Sequence, residues 1–511
     1  MKYVVTNAQM KQAEQLCDRD FIAYSDMMYN AGCAVAERIS DSGYAVILAG
    51  GGNNGGDGFV AAGRLAAAGV GCAVIMAGGA PRTDCAAKHF ELLKSETDVE
   101  IISFAEDRER AAAAIARADT AVDCIFGTGF HGRLPDTAAE LISLAGSCKR
   151  RIAVDVPSGV NSDSGEYDER CFKATGTLVL AAMKTGLLAP SVQNIIGERE
   201  LLDIGIDESC FIKAGFTARL TDDSLCHPFP PRTRESHKGT FGRLLNIAGS
   251  IRYSGAAAIS TKAALRSGVG LCTLAAPISA VKIIASSLHE TTYLPLPETE
   301  EGFAAANAWE AVGELLAKTN AVSIGCGLGN NEGARTLTEY VIRNADCPII
   351  IDADGINSLV GNIDILKERR GETILTPHPA EFSRITGTPV PLIQARRIES
   401  ARSFAAEYGV TLVLKGSDTV IASKDGELFV NIVGNAGLAK GGSGDALTGI
   451  IGSMAAQGVE PFTAAASGVY CHARAADILA EEMPMLSMLI TDVIDVLPRV
   501  YGGEGAQGAG T

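Results

Sequence analysis

Six short, almost wholly apolar runs mark the N-terminal part of the chain: YAVILAG, GCAVIMA, VEIISF, TAVDCIFG, RIAVDVP and GTLVLAAM. A strand that is apolar on both faces must be covered on both faces. Runs of this kind separated by helices therefore point to a parallel sheet between two helical layers. The intervening segments GFVAAGRLAAAG and DTAAELISLAG have helical spacing, as do Met10, Ala13, Leu16 and Cys17, then Met27, Met28 and Val35. From Gly242 the alternation restarts with GRLLNIAG, LCTLAAP, NAVSIGCG, CPIIIDAD and VTLVLKG. TVIASKDGELFVNI follows and reads as a hairpin turning at Asp425-Gly426, and three helical segments close the chain.

A chain of 511 residues is too long for one ordinary core, so two domains are expected. The pattern lapses over residues 207–232, which end in TDDSLCHPFPPRTR with three prolines close together. The expected division is a first domain over 1–212, a linker over 213–232, a second domain over 233–501 and a disordered tail, GGEGAQGAGT, over 502–511. The fold class is α/β, with two doubly wound three-layer αβα domains. Their motifs do not repeat, so they are different folds joined together.

The net charge of −16 argues against a nucleic-acid or anionic-membrane surface, and no run of basic residues hides inside the acidic total. No uncharged apolar stretch of membrane-spanning length occurs, and MKYVVTNAQMKQAEQLCDRD lacks the apolar core of a signal peptide, so a cytoplasmic location is expected. The 13 cysteines form no CxxC pair and sit in apolar surroundings, which reads as reduced, buried thiols.

Near the C-terminus stands GNAGLAKGGSGDALTGII, Gly434 to Ile451. Glycine loses more backbone freedom on ordering than any other residue, so a cluster of it implies a backbone that approaches something closely. No GxxxxGK[ST] is present, but the free N–H groups of a helix start after a glycine-rich loop hold phosphate equally well. Asp445 falls in the first turn of that helix, where a purely structural carboxylate would repel the anion. Taken alone it is either a helix cap or a chemical group.

Six other motifs, most of them directly after a strand, are HKGTFGRLLNIAGS, YSGAAAISTKAALRSGVG, GCGLG, DADGIN, TPHPAEF and LKGSDT. With GGSGD they resemble the ADP/ATP-dependent NAD(P)H-hydrate dehydratases, a ribokinase-like branch, over roughly residues 225–500. The resemblance implies that Asp445 is the base at a substrate hydroxyl and Gly444 a phosphate-contacting amide. It further implies that Lys415, Gly416, Ser417, Asp418 and Thr419 line the nucleotide, ADP or ATP, with Mg²⁺ accompanying it. Ala256, Gly327 and His378 would face the hydrated dinucleotide, with Asp445 beside it. The carboxylates of DADGIN read as loop-fixing. Three positions depart from the family pattern, where threonine, proline and alanine are usual: Lys440, Cys326 and Gly355. Of these, Lys440 adds a cation beside the terminal phosphate.

Upstream, ILAGGGNNGGDGF places Gly50, Gly52 and Gly55 in a GxGxxG arrangement between a strand and a helix. The next strand, however, ends GCAVIMAGGAPRT without the acid that binds a ribose in dinucleotide folds. The motif therefore holds its ligand differently or holds none. Side-chain oxygens do accumulate at strand ends: Asn54, Asp123, Asp155 and Ser158. NNGGDG, FGTGFHGR and DVPSGV in this order resemble the NAD(P)H-hydrate epimerases, Rossmann-like domains, over roughly residues 1–210. By that resemblance Asn53, Asn54, Gly55, Gly56 and Asp57, then Gly127, Thr128, Gly129, Phe130, His131, Gly132 and Arg133, and Asp155 bind substrate. Asp155 would be the acid/base, and Asn54, Asp123 and Ser158 would hold K⁺.

Together the two resemblances imply an enzyme that epimerises hydrated NADH or NADPH and dehydrates the S hydrate with ADP or ATP, assembled as a homo-oligomer. The alternatives are a small-molecule kinase of the hydroxymethylpyrimidine or hydroxyethylthiazole type, or a first domain that only binds or scaffolds.

Overall fold

A computed structural model describes residues 2–502 and divides the chain into two compact units between Arg219 and Leu220. Residues 213–232, expected as linker, carry a strand at Ala218–Leu220 and a single 3-10 turn at Asp223–Cys226. The alternation explains the strand: Ala218 and Leu220 are buried while Arg219 between them is not. The expected disordered tail, 502–511, lies outside the described residues except for Gly502, which ends the last helix.

After a short strand at Tyr3–Val5, the first unit carries helices α1 (Asn7–Asp20) and α2 (Tyr24–Arg38). Thr6 caps α1 reciprocally with Gln9. Besides a two-residue strand at Met183–Lys184, seven strands follow: β1 (Tyr44–Ala49), β2 (Gly71–Met76), β3 (Glu100–Ser103), β4 (Thr120–Cys124), β5 (Arg150–Val154), β6 (Gly176–Leu180) and β7 (Glu198–Leu202). They form one parallel sheet in the order β3-β2-β1-β4-β5-β6-β7, with the chain changing direction between β1 and β4. This is the doubly wound order of dinucleotide-binding folds, whose ligands sit at that reversal. Strand β7, ERELL, gives no apolar run because it lies at the sheet edge and fully buries only Leu202.

Helix α3 (Asn53–Ala67) leaves β1 through Gly50, Gly51 and Gly52. Steric fit dictates two glycines there. A Cβ on Gly50 would lie 2.0 Å from the Ile125 carbonyl oxygen, and one on Gly55 would lie 1.9 Å from that of Gly50. Gly52 faces open space.

The second unit carries β8 (Arg243–Ile247), β9 (Leu271–Pro277), β10 (Thr292–Leu296), β11 (Ala321–Ile324), β12 (Ile349–Ile351), β13 (Thr373–Leu375), β14 (Thr411–Leu414), β15 (Thr419–Ala422) and β16 (Leu428–Asn431). Their order is β10-β9-β8-β11-β12-β13-β14-β15-β16, parallel as far as β14 and antiparallel through the β15–β16 hairpin. The hairpin turn passes through Gly426 at φ 90°. Two strands escape the sequence pattern for local reasons. β10, TYLPL, contains a proline, which only an edge strand tolerates, and β13 is three residues long.

Helix α4 (Ser254–Arg266), helix α5 (Pro379–Thr386) and helix α6 (Ser443–Ala456) position the site. From Ala446 to Ala456 every residue of α6 is buried. It packs on α4 so closely that a Cβ on Gly449 would lie 2.0 Å from the Ser260 carbonyl oxygen. All thirteen cysteines are free thiols; Cys33, Cys85 and Cys347 are partly exposed and the other ten are buried.

Two glycines of α3 give a controlled stability test. Gly55→Ala must push its helix off the β1 loop and is expected to destabilise the first unit by about 2–3 kcal/mol. Gly63→Ala meets nothing closer than Leu93 at 3.7 Å and is expected to stabilise it by roughly 0.5–1 kcal/mol. Urea unfolding of the two variants reads the difference.

Candidate active sites

In the first unit a cavity of about 350 Å³ opens where β1, β4, β5 and β6 end, roofed by α1 and α2. Its floor is a buried ion pair. The Lys184 ammonium, with its side chain only 1% exposed, donates to Asp155 and also to the Leu180 carbonyl oxygen at 2.7 Å. Asp155 is held at φ 68°, a strained left-handed conformation for a non-glycine residue, and its carboxylate accepts from the Leu180 amide at 3.2 Å. Lys184 follows an apolar run in AAMKTG and is absent from the sequence-based set; a lysine just past a strand end is its only signal.

Two more carboxyl groups face this pair. Asp57, in the first turns of α3, has its pKa pushed well above the ordinary carboxylate range, by burial first and then by the charges of Asp155 and Glu14. Glu14 on α1 is raised as well, chiefly by burial, and hydrogen-bonds the Tyr24 hydroxyl at 3.0 Å. That hydroxyl accepts from the Asn53 amide at 3.3 Å. The arrangement places Asp155, paired with the Lys184 ammonium, opposite a carboxyl group whose protonated form is favoured.

Asn53, Asn54, Asp57, Gly127, Thr128, Gly129, Phe130 and Asp155 all line the cavity. The remaining expected ligands do not. Gly55 and Gly56 are packing glycines, the latter against Met28, because α3 lies too close to its neighbours for any side chain. His131, Gly132 and Arg133 lie past the cavity rim, where the His131 ring meets Asn161 at 3.0 Å.

Asn54, Asp123 and Ser158 cluster round the Phe126 peptide. Asn54 donates to its carbonyl oxygen at 3.0 Å, and its amide donates to Ser158 Oγ at 2.9 Å. Asp123, fully buried, accepts from Ser158 N at 2.7 Å and Ser158 Oγ at 2.6 Å, and burial pushes its pKa up to about 6. Asn54 Oδ1 is buried with no hydrogen-bond partner among the described residues. An orphaned amide oxygen beside an anionic carboxylate suits a hard cation.

In the second unit Asp445 is the third residue of α6, after Gly442 at φ 95°. Its pKa is pushed up to about 6, by burial first and then by the negative charge of Asp352. Asp352 follows β12 and is saturated: Lys415 Nζ donates to one oxygen at 2.8 Å and Thr448 Oγ1 to the other at 2.8 Å. Burial alone would raise Asp352, but Lys415 and Thr448 hold it below the usual carboxylate range. Cys326, whose thiol is pushed far up by burial, points at the same carboxylate from 3.9 Å. The ligating atoms of Cys326, Asp352 and Asp445 lie within 4.8 Å of one another. With Asp352 already paired to an ammonium, Asp445 is the member left to titrate near neutrality.

Asp352 thus corrects the reading of DADGIN. Asp354 is loop-fixing, accepting from the Gly329 amide at 2.7 Å, whereas Asp352 lies within 4.8 Å of the Asp445 carboxylate. Gly444 lies so close to this pair that a Cβ would stand 3.2 Å from Lys415 Nζ. Ala256 and Gly327 adjoin each other: a Cβ on Gly327, at φ 67°, would lie 2.9 Å from that of Ala256.

Other expected residues do different work. The Lys415 ammonium is committed to Asp352. The loop after it is shaped by buried Arg397, which donates to the carbonyl oxygens of Leu414, Lys415 and Asp418 at 2.8–3.2 Å. Asp418 and Thr419 are buried, leaving Gly416 and Ser417 exposed. His378 caps α5, its Nδ1 accepting from Ala380 N at 3.1 Å and Glu381 N at 3.3 Å. Lys440 is not a free cation, because it donates to the carbonyl oxygens of Leu486 and Met488. At Gly355 a Cβ would lie 2.9 Å from the Ile324 carbonyl oxygen, so the family's usual alanine would be tight.

Comparison with known proteins assigns both halves. A family model described as NAD(P)H-hydrate dehydratase matches residues 244–499, and one described as YjeF-related protein N-terminus matches residues 25–186. The bifunctional NAD(P)H-hydrate repair enzyme Nnr of Moorella thermoacetica is 36% identical over 510 residues, covering 98% of this chain and 96% of the relative. Its counterpart in Escherichia coli K12 is 33% identical over 465 residues, covering 91% and 86%. Among solved structures, the Bacillus subtilis ADP/ATP-dependent NAD(P)H-hydrate dehydratase co-crystallised with ATP and Mg²⁺ is 35% identical. It matches 55% of this chain and 96% of its own, with a TM-score of 0.48.

The two carboxylates respond oppositely to neutralisation. Lys184→Met leaves Asp155 buried without its counter-charge and is expected to destabilise the first unit by about 3–5 kcal/mol, most of it recovered by adding Asp155→Asn. Asp445 binds its proton more tightly folded than unfolded. Its contribution to stability is therefore greatest below about pH 4 and is lost as pH rises through about 6. Asp445→Asn is expected to stabilise the second unit at pH 7.5 by roughly 1–3 kcal/mol and to flatten that pH dependence, read by thermal unfolding across pH.

Proposed function

The chain belongs to the bifunctional NAD(P)H-hydrate repair enzymes, and from that premise we infer how its two sites divide the work. The family's activity is repair of hydrated NADH and NADPH: epimerisation of the R and S hydrates, and dehydration back to the dinucleotide. Membership across both halves sets aside the small-molecule kinase and the purely scaffolding first domain.

The observation that carries the second site is the split between Asp352 and Asp445, one held ionised by Lys415 and the other poised near pH 6. A base needs a pKa near working pH, and Asp445 has it. In this reading Asp445 takes the hydroxyl proton of the S hydrate as that oxygen attacks the terminal phosphoryl group of ADP or ATP. The phosphate ester is then a good leaving group. The ring nitrogen's electron pair expels it from C6, C5 gives up a proton, and the dihydronicotinamide ring is restored. Amides at Gly444 and along the exposed Gly416–Ser417 loop receive the nucleotide, which Mg²⁺ accompanies. Lys415 acts by fixing Asp352, and through it the charge that sets Asp445.

The first site suits a reversible reaction. Asp155 takes the proton of the C6 hydroxyl and the C6–N1 bond opens to an aldehyde. Protonated Asp57 supplies the ring nitrogen with a proton, and closure on the other face gives the other epimer. Asn54, Asp123 and Ser158 would hold K⁺, whose positive charge favours the ionised Asp123 and fixes the Phe126 loop.

The reading extends to a homo-oligomer in the cytoplasm. Exposed Met485, Leu486 and Leu489 support assembly, and no helix among the described residues is long and apolar enough to cross a membrane.

The test is recovery of dihydronicotinamide absorbance from a mixed-epimer preparation of hydrated NADH, with ADP, with ATP and with neither. Recovery beyond the S fraction, dependent on nucleotide, is the expected result. Asp445→Asn should abolish it, with a loss of at least about 10³-fold. Asp155→Asn should stop it at the S fraction. Dehydratase rate should fall tenfold per pH unit below about 6, as Asp445 protonates. No recovery with either nucleotide would overturn the assignment.

A further inference from the structure

Beside the catalytic cavity of the first unit lies a second one, of about 290 Å³, at the ends of β1, β2 and β4. Gly50 and Gly51 form one wall, the loop Ala77–Ala80 another, and Ile125 and Phe126 a third. Ile125, Phe126 and Arg82 line both cavities, so the two adjoin along these residues. The second cavity occupies the reversal point of the doubly wound sheet, between β1 and β4, the place where such folds take a nucleotide.

We propose that this second cavity is the adenosine subsite of the epimerase, and that Arg82 meets the diphosphate linking it to the hydrated nicotinamide in the first. The inference rests on the epimerase reading above. Four observations support it. The Arg82 amide donates to the Gly51 carbonyl oxygen at 2.7 Å, clasping the β1 and β2 loops together. Its side chain runs along Gly51, with Nε 3.2 Å from where a Cβ would stand, so a larger residue there would displace it. Gly52, at the start of α3, faces open space and lines the first cavity, leaving the backbone free to approach a phosphate. Finally, Gly78 and Gly79 are exposed and meet nothing within 4 Å, so the end of β2 presents bare backbone in place of an acid.

That last feature gives the missing acid a meaning. An Asp or Glu at the end of the second strand binds the ribose 2′-hydroxyl and repels a 2′-phosphate. With glycines there and an arginine six residues past the strand end, the subsite accepts a ribose with or without 2′-phosphate. The subsite therefore discriminates little between the two hydrated dinucleotides, which bind it with similar affinity.

Restoring the acid tests the placement directly. Gly78→Asp fits the open space without a clash. It is expected to raise the epimerase KM for hydrated NADPH at least tenfold, with hydrated NADH changed less than threefold and kcat unchanged for both. Gly79→Tyr, which fills the cavity, should raise KM for both dinucleotides while leaving hydrated reduced nicotinamide mononucleotide untouched. Arg82→Ala should weaken both dinucleotides about equally. Epimer interconversion is followed by chromatography without nucleotide, and thermal unfolding checks that each variant folds. Wild-type epimerisation with unchanged KM values in folded Gly78→Asp and Gly79→Tyr would overturn the subsite and leave the epimerase reading intact. Absence of wild-type epimerisation would overturn the epimerase reading itself.

Discussion

Each unit keeps one lysine ammonium largely out of water against an aspartate at the end of a parallel strand. Lys184 meets Asp155 after β5, and Lys415 meets Asp352 after β12. A buried carboxylate without a partner takes up a proton, and a buried ammonium without one loses it. Pairing fixes both charges, and the fixed charges then act on the third group nearby. Burial raises both Asp57 and Asp445, and the paired Asp155 and Asp352 each add to that shift. The lysines Lys184 and Lys415 anchor these charges from beneath, with no need to touch substrate themselves.

This arrangement depends on where a parallel sheet ends. All its strands point the same way, so every loop that leaves a strand's C-terminal end delivers its residues to one rim. Asp123, Asp155 and Lys184 arrive from three neighbouring strands, and Asp352 and Lys415 from two more in the other unit. The glycines let the backbone fit there. Gly50 and Gly55 allow α3 to start hard against β1, and Gly449 allows α6 to lie on α4. A helix start held that near a strand end brings its free amides and its first-turn aspartate to the same rim.

The sheets were legible in the sequence wherever a strand is buried on both faces, because burial writes a continuous apolar run. Edge strands β7 and β10 and the three-residue β13 carried no such signal, and their places come from pairing alone. Glycine-rich motifs led directly to Asp445, Asp155 and the cavity-lining asparagines. Their supporting groups were less visible. Glu14 and Tyr24 reach the first site from helices whose pattern reads only as core, and Lys184, Asp352 and Thr448 matter through contacts between distant segments. His378 and Lys440 show the reverse: a conspicuous residue type at a motif position also serves a helix cap or a loop. Composition at a motif says which groups are available, and three-dimensional packing decides which of them are already engaged.

The two carboxylate arrangements also differ in a way that fits two different tasks. Epimer interconversion must run in both directions, so its site needs a proton donor and a proton acceptor together; in the proposed reading these are Asp57, whose protonated form burial favours, and Asp155, paired with Lys184. Dehydration is driven by cleavage of a nucleotide phosphate and needs only a base that is free at neutral pH, the part proposed for Asp445 with its pKa pushed up to about 6. Consumption of one epimer by the driven step draws the other through the reversible one. The pool is then cleared by mass action, whether or not substrate passes directly from one site to the other.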